Sequence, residues 1–182
     1  MLNIYKPKLT NLQQAILRLM FVKAGVALNQ RQIARSLGVS APAVMKALPG
    51  LEKDDLIQLK QDKETKRWEI KLNRDNYKVV QLKRADNLKL IYETGLADYF
   101  EKEFAGATII LFGSYSRGED TTNSDIDIAV VERKDKLVHL EDYAKKLNRA
   151  ININFYDSWN AIHKDLKNNI LNGILLHGGI NL

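Results

Sequence analysis

The sequence predicts an α+β chain made of two parts joined by a long helix. Three observations lead there. Residues 10–72 read as three capped helical segments followed by two short alternating runs. From Asp75 to Glu93 the pattern is helical, with no stretch rich in Gly, Pro or Ser to mark a flexible linker. After Ala105, apolar runs of strand length alternate with helical segments, which indicates a small mixed sheet with helices. Charge divides the same way: residues 1–84 carry 17 Lys and Arg against 7 Asp and Glu, and residues 85–182 carry 11 against 15. A basic part joined to an acidic part suggests different partners, and the basic part suits a polyanion.

The 182 residues suffice for one large domain or two small ones. No apolar run reaches the length of a membrane span, and no basic-then-apolar leader opens the chain, so a cytoplasmic protein without membrane attachment is expected. Cysteine is absent, which excludes disulfides and thiolate metal sites. His139, His163 and His177 are too far apart for a zinc motif and are expected in packing or surface roles.

Thr10 or Asn11 can cap a first helix carrying Leu12, Ile16, Leu19 and Met20, with Gly25 as its stop. Asn29 can cap a short helix, Gln30–Leu37, with Ile33, Ala34 and Leu37 on one face. Gly38-Val39-Ser40 is a tight turn. Ser40 caps a third helix running to about Lys53, with Pro42 in its first turn and Val44, Leu48 and Leu51 facing inward. Pro49 and Gly50 predict a kink or an early end near Leu48. Leu56–Lys60 and Arg67–Leu72 then read as a hairpin with a charged tip.

Helix, short helix, turn, helix and hairpin is the order of a winged helix-turn-helix, and Gln32-Ile-Ala-Arg-Ser-Leu-Gly-Val-Ser40 closely resembles that family. The resemblance implies that the third helix meets base edges of duplex DNA through its early residues, of which Ser40 and Lys46 are polar. Lys60, Lys63, Lys66 and Arg67 on the hairpin can track phosphates. The other role open to this part is contact with a protein partner.

Asp75 or Asn76 can cap the long helix, Gly95 breaks it, and a second helix runs Leu96–Phe104. A strand at Thr108–Phe112, a helix start at Gly113, a strand at Asp125–Glu132, a helix at Leu140–Asn148, a strand at Ile151–Tyr156 and a helical stretch over Ser158–Leu176 complete the reading.

The most informative stretch is Leu111-Phe-Gly-Ser-Tyr-Ser-Arg-Gly-Glu-Asp-Thr-Thr-Asn-Ser-Asp-Ile-Asp-Ile-Ala-Val130. Gly113 lets a phosphate approach the backbone, and a helix beginning at Ser114 aims N–H groups at it. The Ser114 hydroxyl adds a donor, and Arg117 and Ser124 complete the expected nucleotide-binding set. Tyr115 is placed to flank a nucleotide. Asp125 and Asp127 are two apart on a strand, so both carboxylates share a face and can ligate Mg²⁺ or Mn²⁺ together with substrate phosphates. Solvated charge on an edge strand is the alternative for the Asp pair alone.

Gly-Ser, ten intervening residues, then Asp-x-Asp in an apolar strand resembles the minimal nucleotidyltransferases of the polymerase-beta-like superfamily, over roughly residues 105–182. The resemblance implies that Gly113 and Ser114 hold the phosphates of a nucleoside triphosphate. It further implies that Asp125 and Asp127 are the catalytic, metal-binding pair and that a third carboxylate lies on a later strand. That strand here is Ile151-Asn-Ile-Asn-Phe-Tyr, which offers Asn152 or Asn154, and Asn is a poor general base. Asp157 has the opposite parity, and Glu119 and Asp120 are loop carboxylates expected to be solvated. Such domains commonly act beside a helical HEPN partner as a toxin–antitoxin pair, so the resemblance implies a partner of that kind.

The sequence is therefore read as a winged helix-turn-helix at 1–75, linking helices at 76–104 and a polymerase-beta-like nucleotidyltransferase domain with a mixed sheet at 105–182. The expected activity is transfer of a nucleoside monophosphate to a protein or small-molecule hydroxyl. The alternative is a weak or inactive nucleotidyltransferase-like domain serving a transcription regulator as a nucleotide sensor.

Overall fold

Side-chain caps start every helix of the N-terminal part where the sequence places them. The structure, a computed structural model, describes residues 8–64 and 67–181, so Lys66 lies outside the described residues. Helix α1 (Asn11–Val22) opens with a capping box between Thr10 and Gln13. In α2 (Gln30–Leu37) the Asn29 carboxamide accepts from the N–H groups of Arg31 and Gln32, both at 3.0 Å, and Gly38 ends the helix at φ +66°. Ser40 caps α3 (Ala41–Lys53) through the Ala43 N–H.

Helix α3 does not end near Leu48. It continues through Pro49 and Gly50 to Lys53. Pro49 is exposed, while Val44, Leu48 and Leu51 are fully buried, so core packing outweighs the lost backbone hydrogen bond. Gly50 has a packing reason to be there. A Cβ at that position would meet the Gln13 amide nitrogen at 2.3 Å, and that same amide donates to Ala47 O at 3.1 Å.

Strands β1 (Ile57–Gln61) and β2 (Trp68–Leu72) form the antiparallel hairpin, in register Leu59 to Ile70. Leu28 adds a bridge to Ile70 through backbone bonds of 2.9 and 2.8 Å, tying the start of α2 to the hairpin. Asn73 locks the base of the hairpin. Its amide donates to Asp55 O at 3.1 Å and to Asp55 Oδ1 at 2.8 Å, and its oxygen accepts from Gln58 at 3.0 Å.

Two units divide between Val79 and Val80, within α4 (Tyr77–Glu93). The second unit contains α5 (Leu96–Glu103), β3 (Thr108–Phe112), α6 (Gly113–Arg117), β4 (Ile126–Val131), α7 (Glu141–Leu147), β5 (Ile151–Tyr156), a single 3-10 turn at Trp159–Ala161, α8 (Lys164–Leu171) and β6 (Ile174–His177). Its mixed sheet has the order β5-β4-β3-β6. Strand β3 is antiparallel to both neighbours, and β4 and β5 are parallel.

The sheet is covered on both faces, which explains why β3 is buried at every position. Ile109, Leu111, Ile126, Ile128 and Val130 join Phe100, Phe104 and Leu147 in one layer. Ile110, Phe112, Ala129 and Val131 join Trp159, Ile162 and Ile170 in the other. The C-terminal segment is not helical throughout. Gly173 packs on β3, where a Cβ would lie 2.4 Å from Leu111 O, and Ile174–His177 then pairs with β3 as an edge strand. No helix among the described residues is long and apolar enough to cross a membrane.

Replacing Asn73 by Ala strips Asp55 and Gln58 of buried partners and should cost about 1–3 kcal/mol. Urea unfolding of the variant should show that loss, and a change below about 0.3 kcal/mol would contradict the role given to Asn73.

Candidate functional site

The site is built where β3 ends and β4 begins. Gly113 opens α6 at φ +74°, a conformation that disfavours any residue with a Cβ. It also has no room for one, because a Cβ there would lie 2.6 Å from Asp127 Oδ2. The carboxylate of Asp127 therefore rests against the backbone of the Gly-Ser turn. The register of β3 with β4 sets Phe112 opposite Asp127 and produces this approach. Helix α6 starts without a side-chain cap, and Ser114 is half-buried beside Gly113.

Asp125 sits one residue before β4 and is exposed, while Asp127 lies within the strand and is half-buried. The parallel register distinguishes the two asparagines. Asn152 is opposite Asp127, and Asn154 is opposite Ala129, one step deeper along the strand. The Asn152 amide donates to Asp125 Oδ2 at 3.0 Å. Burial pushes the Asp127 carboxyl above the ordinary carboxylate range. Hydrogen bonding from Asn152 opposes that shift, and the nearby charge of Asp125 adds to it. Two carboxylates thus converge on one neutral amide.

Arg117 pairs with Glu119 at 2.8 Å and donates to Asn169 Oδ1 at 3.1 Å. The Ser124 hydroxyl accepts from the Thr121 N–H at 2.9 Å, closing a tight turn before Asp125. Tyr115 does not flank an open site. It is buried in the core, because the single turn of α6 directs it inward toward Lys83, whose Nζ lies 5.9 Å from the ring centre. Asp157 is exposed beyond the end of β5. In the first unit, Ser40 is occupied as the α3 cap, Lys46 is exposed on α3, and Lys60, Lys63 and Arg67 are exposed toward the far end of the hairpin.

Asp120 overturns the expectation of a solvated loop carboxylate. It is 1% exposed, ion-paired to buried Lys83, 2.7 Å from the Asn87 amide and 3.4 Å from Arg149 Nη2. Burial lowers the Lys83 pKa, and Asp120 opposes that shift. A signal for this cluster exists in the sequence. Val79, Lys83, Asn87 and Ile91 recur at helical spacing, which places a cation and an amide on an otherwise apolar stripe.

Residues 94–178 match the family model described as "Polymerase beta, Nucleotidyltransferase". Solved structures similar to the chain include winged-helix regulators that match its N-terminal region. MepR, a transcription regulator of the Staphylococcus aureus multidrug efflux pump MepA, is 26% identical over 53% of this chain and 70% of its own, with a TM-score of 0.40. A mutant of S. aureus MepR is 30% identical over 41% of this chain, which spans 55% of that protein's length, with a TM-score of 0.36. Lactococcus lactis ZitR is 25% identical over 57% of this chain and 68% of its own, with a TM-score of 0.39. No protein of curated function matches the chain.

The raised Asp127 pKa has a definite sign in stability. The folded protein holds this proton more tightly than the unfolded chain, so stability falls as pH rises from the ordinary value of 3.8 through the folded value, and the deficit persists above it. Metal-free Asp127→Asn should therefore melt higher than wild type at pH 7, and the gap should close as pH falls toward the ordinary carboxylate range. A variant that melts lower at pH 7 would contradict the electrostatic account.

Proposed function

We propose that the C-terminal unit binds a nucleoside triphosphate with one divalent cation and transfers its nucleoside monophosphate slowly to a hydroxyl. The N-terminal unit binds duplex DNA. The observation that carries the first part is the convergence of Asp125, Asp127 and Asn152 beside the Gly113 backbone.

An all-oxygen donor set of two carboxylates suits Mg²⁺ or Mn²⁺. The residues fit one such ion, because the charge of Asp125 disfavours ionisation of the neighbouring Asp127 and a cation between them would relieve it. Asp125 and Asp127 would hold it, with Asn152 able to turn its oxygen toward it. When bound, the ion screens phosphate charge and polarises the reacting phosphoryl group. Gly113 and the uncapped start of α6 receive phosphate oxygens, Ser114 adds a hydroxyl donor, and Arg117 pairs with a terminal phosphate if it exchanges Glu119 for it.

In the transfer, the acceptor oxygen attacks the α-phosphorus in line, the bond to the β-phosphate oxygen breaks, and pyrophosphate leaves. The acceptor proton goes to solvent, since the Asn152 amide cannot take it. That lack of a base is why turnover should be slow. It also favours a second reading, in which the domain senses nucleotide for the DNA-binding unit without transferring it.

With a labelled nucleoside triphosphate and Mg²⁺ or Mn²⁺, wild type should show slow label transfer that Asp125→Ala/Asp127→Ala abolishes. Asn152→Asp should speed it by about 10²-fold, the usual worth of a positioned base. Metal-dependent nucleotide binding with no transfer in wild type or Asn152→Asp supports the sensor. Transfer that survives loss of both aspartates would sink the transferase reading.

For the first unit, Lys60, Lys63 and Arg67 form a basic hairpin end suited to phosphates. The recognition helix offers little for base readout, since Ser40 is already a cap and Pro42 and Pro49 are exposed. Binding should therefore be driven mainly by phosphates and fall steeply with salt. Replacing the three basic residues by Ser should reduce the slope of log K against log salt by about 2–3. An unchanged slope would point to a protein partner for this unit.

A further inference from the structure

A buried carboxylate with two buried cations is costly to assemble, and breaking it leaves charge uncompensated. The second unit spends such a cluster at Asp120, five residues before Asp125, and among the described residues Asp120 makes no hydrogen bond or ion pair with Asp125 or Asp127. Its connections point to a purpose. Asn87 of α4 donates both to Asp120 Oδ1 at 2.7 Å and to Tyr115 O at 2.9 Å, so one amide fixes the loop carboxylate and α6 together. Gly118, between them, lies directly on α4, where a Cβ would meet Val80 O at 2.4 Å.

Downstream of Asp120 there is no slack. The Thr121 N–H donates to Ser124 Oγ at 2.9 Å, the Ser124 N–H donates to Thr121 O at 3.1 Å, and Asp125 follows at once. On the other side, Arg149 reaches Asp120 Oδ2 and also donates to Asn148 O at 2.9 Å. Ala150 then accepts from the Ile126 N–H at 2.9 Å, and two residues later Asn152 bonds to Asp125. Asp120 therefore grips both strand starts that carry the candidate site, one through its own turn and one through Arg149.

We infer that Asp120, held by Lys83, Asn87 and Arg149, is a positioning residue that sets Asp125 against Asn152 and Asp127. This rests on the metal-binding reading of that pair. Asp120 touches neither metal nor nucleotide. It fixes the separation of the two carboxylates, so its loss weakens metal binding more than its effect on stability alone accounts for.

The test uses the full chain in four forms: wild type, Asp120→Asn, Asn87→Ala and, as a control, Phe100→Leu, a core change that makes no hydrogen bond or ion pair with Asp120, Lys83, Asn87 or Arg149. Mn²⁺ affinity is titrated by electron paramagnetic resonance well below every melting temperature, and amide hydrogen exchange is followed at Ile126. Asp120→Asn and Asn87→Ala should weaken Mn²⁺ binding at least tenfold and speed exchange at Ile126 at least tenfold, with Ile110 in β3 within twofold. Phe100→Leu should melt lower yet keep Mn²⁺ affinity within twofold. Because Asn87→Ala removes no charge, it carries the test if Asp120→Asn does not fold. Absent Mn²⁺ binding in wild type, with the local exchange increase still present, would refute the metal reading while supporting the positioning role. Unchanged exchange at Ile126, or unchanged Mn²⁺ affinity in a wild type that binds, overturns the inference.

Discussion

The fit of the Asp127 carboxylate into the space beside Gly113 is the constraint on which the C-terminal unit turns. It requires a residue without a side chain at the end of β3 and a left-handed backbone there. It also requires β4 to run antiparallel to β3 in a register that sets Phe112 opposite Asp127. A slip of one residue would bury the acid in the apolar layer and turn Ile126 and Ile128 toward the site. The apolar residues on either side of Asp127 thus fix its direction as much as its own chemistry does.

Electrostatics then separates this site from a simple pair of surface acids. Two carboxylates share one neutral amide, and the half-buried one resists ionisation. Such an arrangement costs stability in isolation, and the proposed cation would relieve it. The buried ions around Asp120 are the counterpart. They hold the backbone that presents the pair, with the Asp120 carboxylate shared between the two cations.

Local signals were legible in the sequence wherever the structure uses local chemistry. The caps at Thr10, Asn29 and Ser40, the turn at Gly38 and the spacing from Gly113 to Asp127 all depend on residues a few positions apart or on strand alternation. What the sequence hid depends on distant partners. Asp120 meets Lys83 and Arg149, 37 and 29 residues away, so its burial has no neighbouring signature. The choice between Asn152 and Asn154 needed the parallel register of β5 with β4, since both share a parity. The strand Ile174–His177 was hidden because its Ile-Leu-Leu-His run has no clear alternation and owes its form to pairing with β3. Pro49 misled in the opposite sense: a local helix breaker was overruled by the buried leucines on either side of it.

In the proposed function, Asp125 and Asp127 together hold one divalent cation beside the Gly-Ser turn. Anomalous diffraction from crystals grown with Mn²⁺ and a non-hydrolysable nucleoside triphosphate tests it most directly. A single manganese peak bridging the two carboxylates, about 2.1 Å from their oxygens, is expected. Two manganese peaks at the pair, or none there while nucleotide is bound, would contradict it.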